Sequence, residues 1–331
     1  MKVVLGFSGG VDSAVSAALL RRAGWEVCGL YLDNTDENAR RDAVETAEFL
    51  SIPLEILDVR GELEKKVCAP FCRSYLRGET PNPCILCNPA VKFRSLLETA
   101  DRLGAEAIAT GHYARAGDGA LYKGRRTNDQ SYMLCRLRRE QLSRLVLPLG
   151  GMEKAETRAL AEELNLPVAH KKDSMEICFI PDKDYVGWLR RRGALPPPGD
   201  FVFHGETVGR HAGIVGWTVG QRIPGLFEGR KLYVTRIDPE QNAIELALWE
   251  ELFRTELTAR DFNWLIEPPA GPIRASVRVR HTKWEEPACT AFPLPDGSVR
   301  IECDEPVRAP APGQSAVLYD GEKVLGGGFI V

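Results

Sequence analysis

Short apolar segments alternate with amphipathic segments over residues 1–193. The short segments are apolar on both faces, as buried strands are, and the segments between them repeat apolar residues at helical spacing. Strands are predicted at 2–7, 26–32, 54–59 and 107–110. Helices are predicted at 14–23, 42–50, 62–76, 91–103, 154–164 and 184–192. This alternation predicts an α/β fold with a doubly wound parallel sheet.

The pattern changes at the proline-rich linker 194–199. Beyond it, short apolar segments separated by Gly, Asp-Pro and Asn predict two small β-rich domains, the last a β-barrel. Strands are predicted at 201–203, 232–237, 243–247, 273–281, 288–292, 299–303 and 315–319. We therefore predict a catalytic domain at 1–193, a central β-rich domain at 194–252 and a C-terminal barrel at 253–331.

Composition narrows the class of protein. The 331 residues carry a formal net charge of −3, so any nucleic acid must be bound by local basic patches. No apolar run is long enough to span a membrane, and the first residues lead straight into a strand. We therefore expect no signal peptide, no membrane partner and a cytoplasmic location. Nine cysteines in such a chain favour sulfur, redox or metal chemistry over a disulfide framework.

A glycine-rich stretch, Gly6-Phe7-Ser8-Gly9-Gly10-Val11-Asp12-Ser13, joins the first strand to the first helix. Paired glycines allow a tight turn and close approach to a ligand, and the helix start offers N–H groups to an anion. Asp12 beside a phosphate needs a cation between them, and Mg²⁺ fits there. The alternative is a simple turn capped by Asp12 or Ser13. The stretch resembles the PP-loop of ATP pyrophosphatases, which release pyrophosphate from ATP and leave an adenylated substrate.

Two cysteine motifs are the next candidates for chemistry. The prolines in 78–88 predict an extended loop that Cys84 and Cys87 close as a Cys-x-x-Cys before the helix at 91–103. A cysteine placed there can be reactive, whereas a structural zinc lacks a second ligand pair. Cys178 opens a predicted apolar strand and, taken alone, is a core residue.

Each of the other polar candidates, His112, Asp129 and residues 190–192, has two interpretations. His112 follows a predicted parallel strand beside Gly111, where a functional role is favoured over a structural one. Asp129 is equally a helix cap or a substrate contact. The basic end 190–192 is either a solvated surface or an RNA phosphate contact.

Seven motifs occur together in order, and the set resembles the tRNA 2-thiouridylases that thiolate the wobble uridine. The resemblance covers nearly the whole chain. The motifs are Ser-Gly-Gly-Val-Asp-Ser at 8–13, Thr-Pro-Asn-Pro-x-x-x-Cys-Asn at 80–88, Ala-Thr-Gly-His-Tyr-Ala-Arg at 109–115, Lys-Lys-Asp-Ser-x-x-Ile-Cys-Phe-Ile at 171–180, Gly-Gln-Arg at 220–222, Pro-Gly-Gln-Ser-Ala-Val at 312–317 and Gly-Gly-Gly at 326–328.

The resemblance implies a role for each matched residue. Asp12, Cys87 as nucleophile and Cys178 as persulfide carrier are implied to be catalytic. ATP is implied to contact Gly6, Phe7, Ser8, Gly9, Gly10, Val11, Asp12, Ser13, Leu32 and Gly111. The target base is implied to contact Asn82, Pro83, Cys84 and His112. Contacts to the rest of the tRNA are implied for Asn128, Asp129, Gln130, Arg280, His281 and Gln314.

The implied activity is an ATP-dependent tRNA sulfurtransferase that adenylates the wobble uridine and replaces its O2 with cysteine-bound sulfur. It implies ATP, Mg²⁺, tRNAs of the Lys, Glu and Gln type, and a sulfur donor such as a cysteine desulfurase or sulfur-carrier protein. The persulfide route passes through a disulfide. Alternatively, Cys84, Cys87 and Cys178 hold a [4Fe–4S] cluster with one open iron. Another PP-loop ligase and a non-catalytic tRNA-binding protein are the rival classes.

The chain departs from the family pattern at a few positions. Cys84 stands where the family usually has Asp, Asn128 where it has Lys, and His281 where it has an aromatic residue. Cys68 and Cys72 lie outside the pattern, and we expect them to be core or helix-contact residues. Basic residues on the predicted C-terminal strands are expected to contact tRNA phosphates, namely Arg274, Arg278, Arg280 and Lys283.

Overall fold

The computed structural model describes residues 1–34, 36–172, 177–225, 231–281 and 286–331. The chain divides into two compact units. The sheet unit contains residues 1–67, 84–175 and 322–325. The barrel unit contains residues 68–83, 176–321 and 326–331. The short segment 68–83 therefore belongs to the barrel unit although residues of the sheet unit flank it on both sides.

The elements follow the predicted alternation. The α-helices are α1 (Val11–Arg22), α2 (Glu37–Phe49), α3 (Arg60–Leu63), α4 (Ala69–Leu76), α5 (Pro83–Cys87), α6 (Phe93–Leu103), α7 (Arg139–Leu142), α8 (Lys154–Glu163) and α9 (Tyr185–Arg191). Strands of the sheet unit are β1 (Lys2–Gly6), β2 (Glu26–Asp33), β3 (Leu54–Asp58), β4 (Ala107–Ala109), β5 (Ala114–Gly117), β6 (Ala120–Lys123) and β7 (Leu145–Val146). The later strands are β8 (Gly199–Phe203), β9 (Glu206–His211), β10 (Arg222–Ile223), β11 (Leu232–Asp238), β12 (Ala243–Ala247), β13 (Phe253–Trp264), β14 (Ile273–Arg278), β15 (Ala288–Pro293), β16 (Val299–Arg308), β17 (Ser315–Asp320) and β18 (Lys323–Ile330).

A five-stranded parallel sheet forms the centre of the sheet unit, with strand order β3-β2-β1-β4-β7. Its central strand is apolar on both faces, since Val3, Val4 and Leu5 are all inaccessible to solvent. The chain runs outward from β1 to β3 and then returns to the other side of β1 at β4. This reversal places a crevice at the carboxyl ends of β1 and β4, where ligands bind in open α/β sheets. The predicted α/β fold with a parallel sheet is confirmed.

The barrel unit holds a five-stranded sheet and a closed barrel. The sheet has the order β10-β11-β12-β8-β9. The barrel runs β13-β16-β15-β14-β17-β18 and closes because β13 also pairs with β18. Along β16, Val299, Ile301 and Cys303 are buried while the residues between them are more exposed, which is the period-two pattern of a barrel wall. The prediction of two small β-rich parts, the last a barrel, is confirmed. The domain boundaries stay a prediction.

The segment 68–83 packs on aromatic residues of the barrel unit. Phe71 meets Phe179 and Trp188 edge-on, with ring centroids 5.6 and 5.9 Å apart. Tyr75 stacks on Tyr185 at 5.3 Å. Among the described helices of both units, none is long and apolar enough to cross a membrane.

Two local predictions are wrong. The predicted loop at 78–88 ends at Pro83, where α5 begins, because proline suits a first helical position that needs no N–H donor. The helical path then continues through a π-turn at Asn88–Lys92 into α6, and Pro89 in that turn has no N–H to give a regular helix. Cys178 lies in a turn closed by a 2.8 Å bond from Ile180 N to the carbonyl of Ile177, not in a strand.

The hairpin β5–β6 was not predicted from the sequence. It follows the Gly111-His112-Tyr113 segment and pairs Ala114 with Lys123. Lys323 of β18 adds to it opposite Tyr122. The alternating apolar pattern of this hairpin is too short to stand out against its surroundings.

Candidate active site

The stretch 6–13 forms a tight loop between β1 and α1. Gly9 has φ +68°, and a Cβ there would lie 2.5 Å from the carbonyl oxygen of Ala39 and 2.7 Å from the amide nitrogen of Ala43. Only glycine fits, because α2 packs directly against the loop. The hydroxyl of Ser13 accepts a 3.3 Å bond from Ser8 N and donates a 3.0 Å bond to the carbonyl of Gly10.

The start of α1 is open towards a ligand. Its N-cap is Gly10, which supplies no side-chain hydrogen bond to the first turn. The first N–H groups of a helix have no acceptor within the helix, so those of Val11, Asp12 and Ser13 are available to an anion. The alternative of a cap by Asp12 or Ser13 does not describe this helix start.

Asp12 is held by two residues from later in the chain. Lys154 Nζ lies 2.7 and 2.8 Å from the two carboxylate oxygens, and the hydroxyl of Tyr113 donates a 2.7 Å bond. Gly111 packs against Asp12 so closely that a Cβ would lie 2.9 Å from the Asp12 carbonyl carbon. Lys154, a residue that the sequence did not identify, therefore places a positive charge directly beside Asp12.

His112 follows β4 and is held by two neighbours. Its Nδ1 shares a 2.7 Å hydrogen bond with Thr110 Oγ1, and its ring stacks on Phe93 with centroids 5.9 Å apart. Burial lowers the pKa of His112 well below 6.5, and the charge of Lys92 lowers it further. The imidazole is therefore neutral at physiological pH.

The two cysteines of the Cys-x-x-Cys motif lie on α5. Cys84 is exposed and Cys87 is half-buried. Three positions apart on a helix, they present their side chains to one face. The next residue, Asn88, is buried and donates a 2.8 Å bond from Nδ2 to the carbonyl of Met133, which fixes the end of α5.

The remaining seven cysteines differ in exposure, and Cys72 on α4 is half-buried. Cys178 is exposed on its turn in the barrel unit. Five others are buried, as the sequence predicted for those within helices and strands: Cys28, Cys68, Cys135, Cys289 and Cys303. Within either unit, the described residues form no group of three or more His, Cys, Asp or Glu side chains placed to hold a metal ion.

The loop that precedes α5 is held on the barrel within the barrel unit. Thr80 N donates to the carbonyl of Pro312 at 2.7 Å, and Gln314 Nε2 donates to the carbonyl of Thr80 at 2.7 Å. Arg260 donates to Glu79 at 2.8 Å. Burial alone would raise the pKa of Glu79, but hydrogen bonds from Arg77 and Ser74 and the charges of Arg77 and Arg260 outweigh it and lower that pKa.

Comparison with known proteins decides the family. A sequence profile described as the tRNA methyl transferase HUP domain matches residues 1–182. Profiles described as a tRNA methyl transferase PRC-barrel domain and an aminomethyltransferase beta-barrel domain match residues 194–247 and 254–330. The tRNA-specific 2-thiouridylase MnmA of Syntrophotalea carbinolica is 43% identical over 99% of this chain and 98% of its own length. That of Pelotomaculum thermopropionicum is 43% identical over 99% and 97%.

The chain belongs to the tRNA-specific 2-thiouridylase family.

Among solved structures, the chain is similar in part to an NMN synthetase from Francisella tularensis, with 19% identity and a TM-score of 0.36 over 56% of this chain and 76% of that one. A 4-thiouridine synthetase in complex with RNA and ATP has 21% identity and a TM-score of 0.37 over 58% of this chain and 50% of that one.

In this thiouridylase, residues 128–130 take part in local hydrogen bonds. Asp129 accepts from Gly124 N at 2.8 Å and from Ser131 N at 3.0 Å. The N-cap of the short helix Ser131–Leu134 is Gln130, so Asp129 does not occupy the cap position. Tyr113 N donates a 3.0 Å bond to Gln130 Oε1, and Gln130 N donates a 2.8 Å bond to the carbonyl of Tyr113. Asn128 Nδ2 reaches the carbonyl of Met152 at 3.4 Å. These contacts fix the loop beside the segment that carries His112.

Other predicted contact residues of the thiouridylase lie as follows. Leu32 is half-buried near the carboxyl end of β2, and Asn82 is half-buried before the buried Pro83. Arg280 donates to the carbonyls of Val219 at 2.6 Å and Ala309 at 2.8 Å, and so joins the central sheet to the barrel. His281 is exposed.

Two arginines of the barrel strands are engaged by carboxylates. Arg274 bonds Asp304 at 2.6 Å, and Arg278 bonds Glu286. Lys283 lies outside the described residues. The sequence shows the arginines but not their carboxylate partners, and their contact with tRNA stays a prediction.

Proposed function

We propose that this thiouridylase activates the wobble uridine of tRNA with ATP and then replaces its O2 with sulfur carried by cysteine. The observation that carries the proposal is the open start of α1 with the Asp12–Lys154 pair beside it, in the same unit as Cys84 and Cys87. The family relationship supports tRNA as substrate and ATP as the activating molecule. Because tRNA is the substrate, we expect the enzyme to act in the cytoplasm.

Activation is needed because the uracil O2 is a poor leaving group. In the proposed step, O2 attacks the α-phosphorus of ATP, the bond to the bridging oxygen breaks, and pyrophosphate departs. The N–H groups at the start of α1 bind the pyrophosphate, and Lys154 supplies positive charge next to it. Asp12 offers one carboxylate for Mg²⁺, which with phosphate oxygens and water makes a usual magnesium site. A Mg²⁺ held by Asp12 would neutralise charge on the phosphates.

Sulfur transfer follows on the adenylated base. A persulfide on Cys178 attacks C2 through its terminal sulfur, and AMP leaves with the former O2. The Cys87 thiolate attacks the inner sulfur, the persulfide S–S bond breaks, and a Cys87–Cys178 disulfide forms as the new sulfur stays on the base. A thiol reductant resets the disulfide, and a cysteine desulfurase or sulfur-carrier protein reloads Cys178.

Base recognition requires the uridine to leave its stack. His112 is neutral and oriented by Thr110, so it can hydrogen-bond a neutral uracil without adding charge. We infer that His112, Asn82, Pro83 and Cys84 surround the base. The tRNA set is proposed to be the Lys, Glu and Gln types.

An iron–sulfur route is the alternative source of sulfur. Cys84 and Cys87 share one face of α5, as neighbouring thiolate ligands of a cluster do. Together with Cys178 they would supply three ligands for a [4Fe–4S] cluster. A bound cluster would supply an open iron to carry sulfide to the activated base.

The test is a reaction of the full chain with ATP, a tRNA substrate and a persulfide donor. We expect AMP and pyrophosphate in equal amounts and 2-thiouridine in the nucleoside digest by mass spectrometry. Release of ADP and phosphate would exclude adenylation. Unchanged wobble-uridine thiolation in cells that lack this protein would exclude the proposed substrate.

A further inference from the structure

Lys171 makes a direct contact with the phosphate-binding loop. Its Nζ donates a 2.8 Å hydrogen bond to the carbonyl of Gly9 and a 2.6 Å bond to Asp42 of α2. All three residues belong to the sheet unit, and Lys171 is half-buried. The roles implied by sequence did not include Lys171 or Asp42.

The contact fixes the orientation of one peptide group. In a planar trans peptide the C=O and N–H groups point in opposite directions. Because the Gly9 carbonyl points to Lys171, the N–H of Gly10 points the other way. A rotated Gly9–Gly10 peptide would present a carbonyl oxygen where the N–H now lies, and an oxygen there repels an anion.

Among the described residues, Lys171 alone donates a hydrogen bond to the Gly9 carbonyl. Gly9 has φ +68° and Gly10 has φ −111° and ψ 166°, and a glycine on each side removes the Cβ clashes that restrict peptide rotation elsewhere. A rigid donor array at this point therefore needs an external hydrogen bond to the carbonyl. Lys171 supplies that bond.

Asp42 holds the lysine in place. It lies on the same turn of α2 as Ala39 and Ala43, the residues against which Gly9 packs. The carboxylate balances the ammonium charge and directs it at the Gly9 carbonyl. Helix α2 thus packs against the Cα of Gly9, and Lys171, held by Asp42, donates to its carbonyl.

We propose that Lys171 is a positioning residue that keeps the Gly10 N–H directed at the departing pyrophosphate. The inference rests on the proposed use of ATP. The positioning role and a direct phosphate contact predict different effects of Asp42. Asp42 supports Lys171 in the positioning role, but it would compete with phosphate if the lysine bound phosphate directly.

The experiment measures binding of ATP, inorganic pyrophosphate and AMP to the full chain by calorimetry. For Lys171→Met we expect ATP and pyrophosphate to bind about tenfold more weakly, the scale of one hydrogen bond to a charged group, with AMP binding unchanged. Lys171→Arg should restore most of the affinity. Lys172→Met changes an exposed neighbouring lysine and should bind all three as the unaltered protein does.

A second variant separates positioning from direct contact and guards against misfolding of the first. Asp42→Asn should weaken pyrophosphate more than AMP, whereas a lysine that binds phosphate directly would be released by this change and bind pyrophosphate at least as tightly. The melting temperature of each ligand-free variant should stay within about 3 °C.

Three results would overturn the inference. They are unchanged pyrophosphate affinity in Lys171→Met, equal losses for AMP and pyrophosphate, and tighter pyrophosphate binding in Asp42→Asn. Failure of the unaltered protein to bind either ATP or pyrophosphate would reject the proposed function itself, and the inference with it.

Discussion

Lys154 Nζ contacts both carboxylate oxygens of Asp12, at 2.7 and 2.8 Å, across 142 positions of sequence. The pair is partly exposed, with about a quarter to a third of each side chain open to solvent. An ion pair of this kind contributes about 1 kcal/mol or less to stability. The ion pair therefore matters for the charge that it places at the start of α1 and not for stability.

Asp12→Ala and Lys154→Met should each abolish pyrophosphate release while leaving the protein folded. The expected loss in kcat is about a hundredfold or more, because each removes a charged group aimed at the reacting phosphates. The measurement is steady-state pyrophosphate release, with thermal unfolding as the control. Lys172→Met, at an exposed position, is the control variant for a lost surface charge. A variant that melts normally and still releases pyrophosphate at the normal rate would contradict this role.

Single cysteine variants should separate the two sulfur routes. In the persulfide route Cys87→Ala and Cys178→Ala lose thiolation, whereas Cys84→Ala keeps it. In the cluster route all three lose both activity and iron. The measurement is iron and acid-labile sulfide in anaerobically purified protein, beside thiolation with a persulfide donor. Cys289→Ala, at a buried position on the barrel strand β15, serves as the control. Iron-free protein that thiolates tRNA excludes the cluster, and Cys84→Ala that loses iron and activity together excludes the persulfide-only route.

The half-buried His112 should make stability depend on pH. Because its pKa in the folded protein lies well below 6.5, the unfolded chain takes up a proton that the folded chain does not. The free energy of unfolding should therefore fall as pH drops below about 6.5, by at most about 1.4 kcal/mol per pH unit from this residue. Burial also lowers the pKa of His211, which adds a dependence of the same sign.

Denaturant unfolding of His112→Gln between pH 5 and pH 8, values chosen to bracket the ordinary histidine pKa of about 6.5, measures the contribution. The variant should lose less stability than the unaltered protein as pH falls. His170→Gln, at an exposed position, should follow the unaltered protein. Parallel curves for the unaltered protein and His112→Gln would show that His112 does not titrate as its burial implies.

The contacts between the barrel and the loop before α5 should affect the rate of thiolation. Arg260→Met removes the ion pair with Glu79, and we expect kcat for thiolation to fall about tenfold with the KM for ATP unchanged. The loop leads within a few residues to Cys84 and Cys87, and small displacements of reacting groups are costly. Glu79→Gln should have the same effect, and the double variant should be no worse than either single one.

Arg254→Met is the matched control, since Arg254 lies on the same strand and donates only to the carbonyls of Glu251 and Phe253 among its described contacts. If Arg260→Met lowered the melting temperature without changing kcat, the contact would be structural alone.

The sequence predicts the parallel sheet because Val3, Val4 and Leu5 form a run that is apolar on both faces. The sequence predicts the loop at 6–13 because paired glycines after a strand are typical of a tight turn that approaches a ligand. It does not reveal Lys154 or Lys171, since a lysine in a polar stretch looks solvated until the fold brings its carboxylate partner from a distant part of the chain. Local signals also mislead at Pro83, where the same proline that ends a strand opens a helix.

The assignment of residues 68–83 to the barrel unit has a consequence for synthesis. The ribosome delivers Phe71 and Tyr75 long before Phe179, Trp188 and Tyr185, the aromatic residues against which they pack. Proteins fold from the N-terminus as they emerge, so the sheet can form around its own core while this helix still exposes its apolar face. At this stage the phosphate-binding loop of the nascent chain can be folded, while the segment that leads to Cys84 and Cys87 has not yet packed. The chain should therefore depend on chaperones until the later aromatic residues are made.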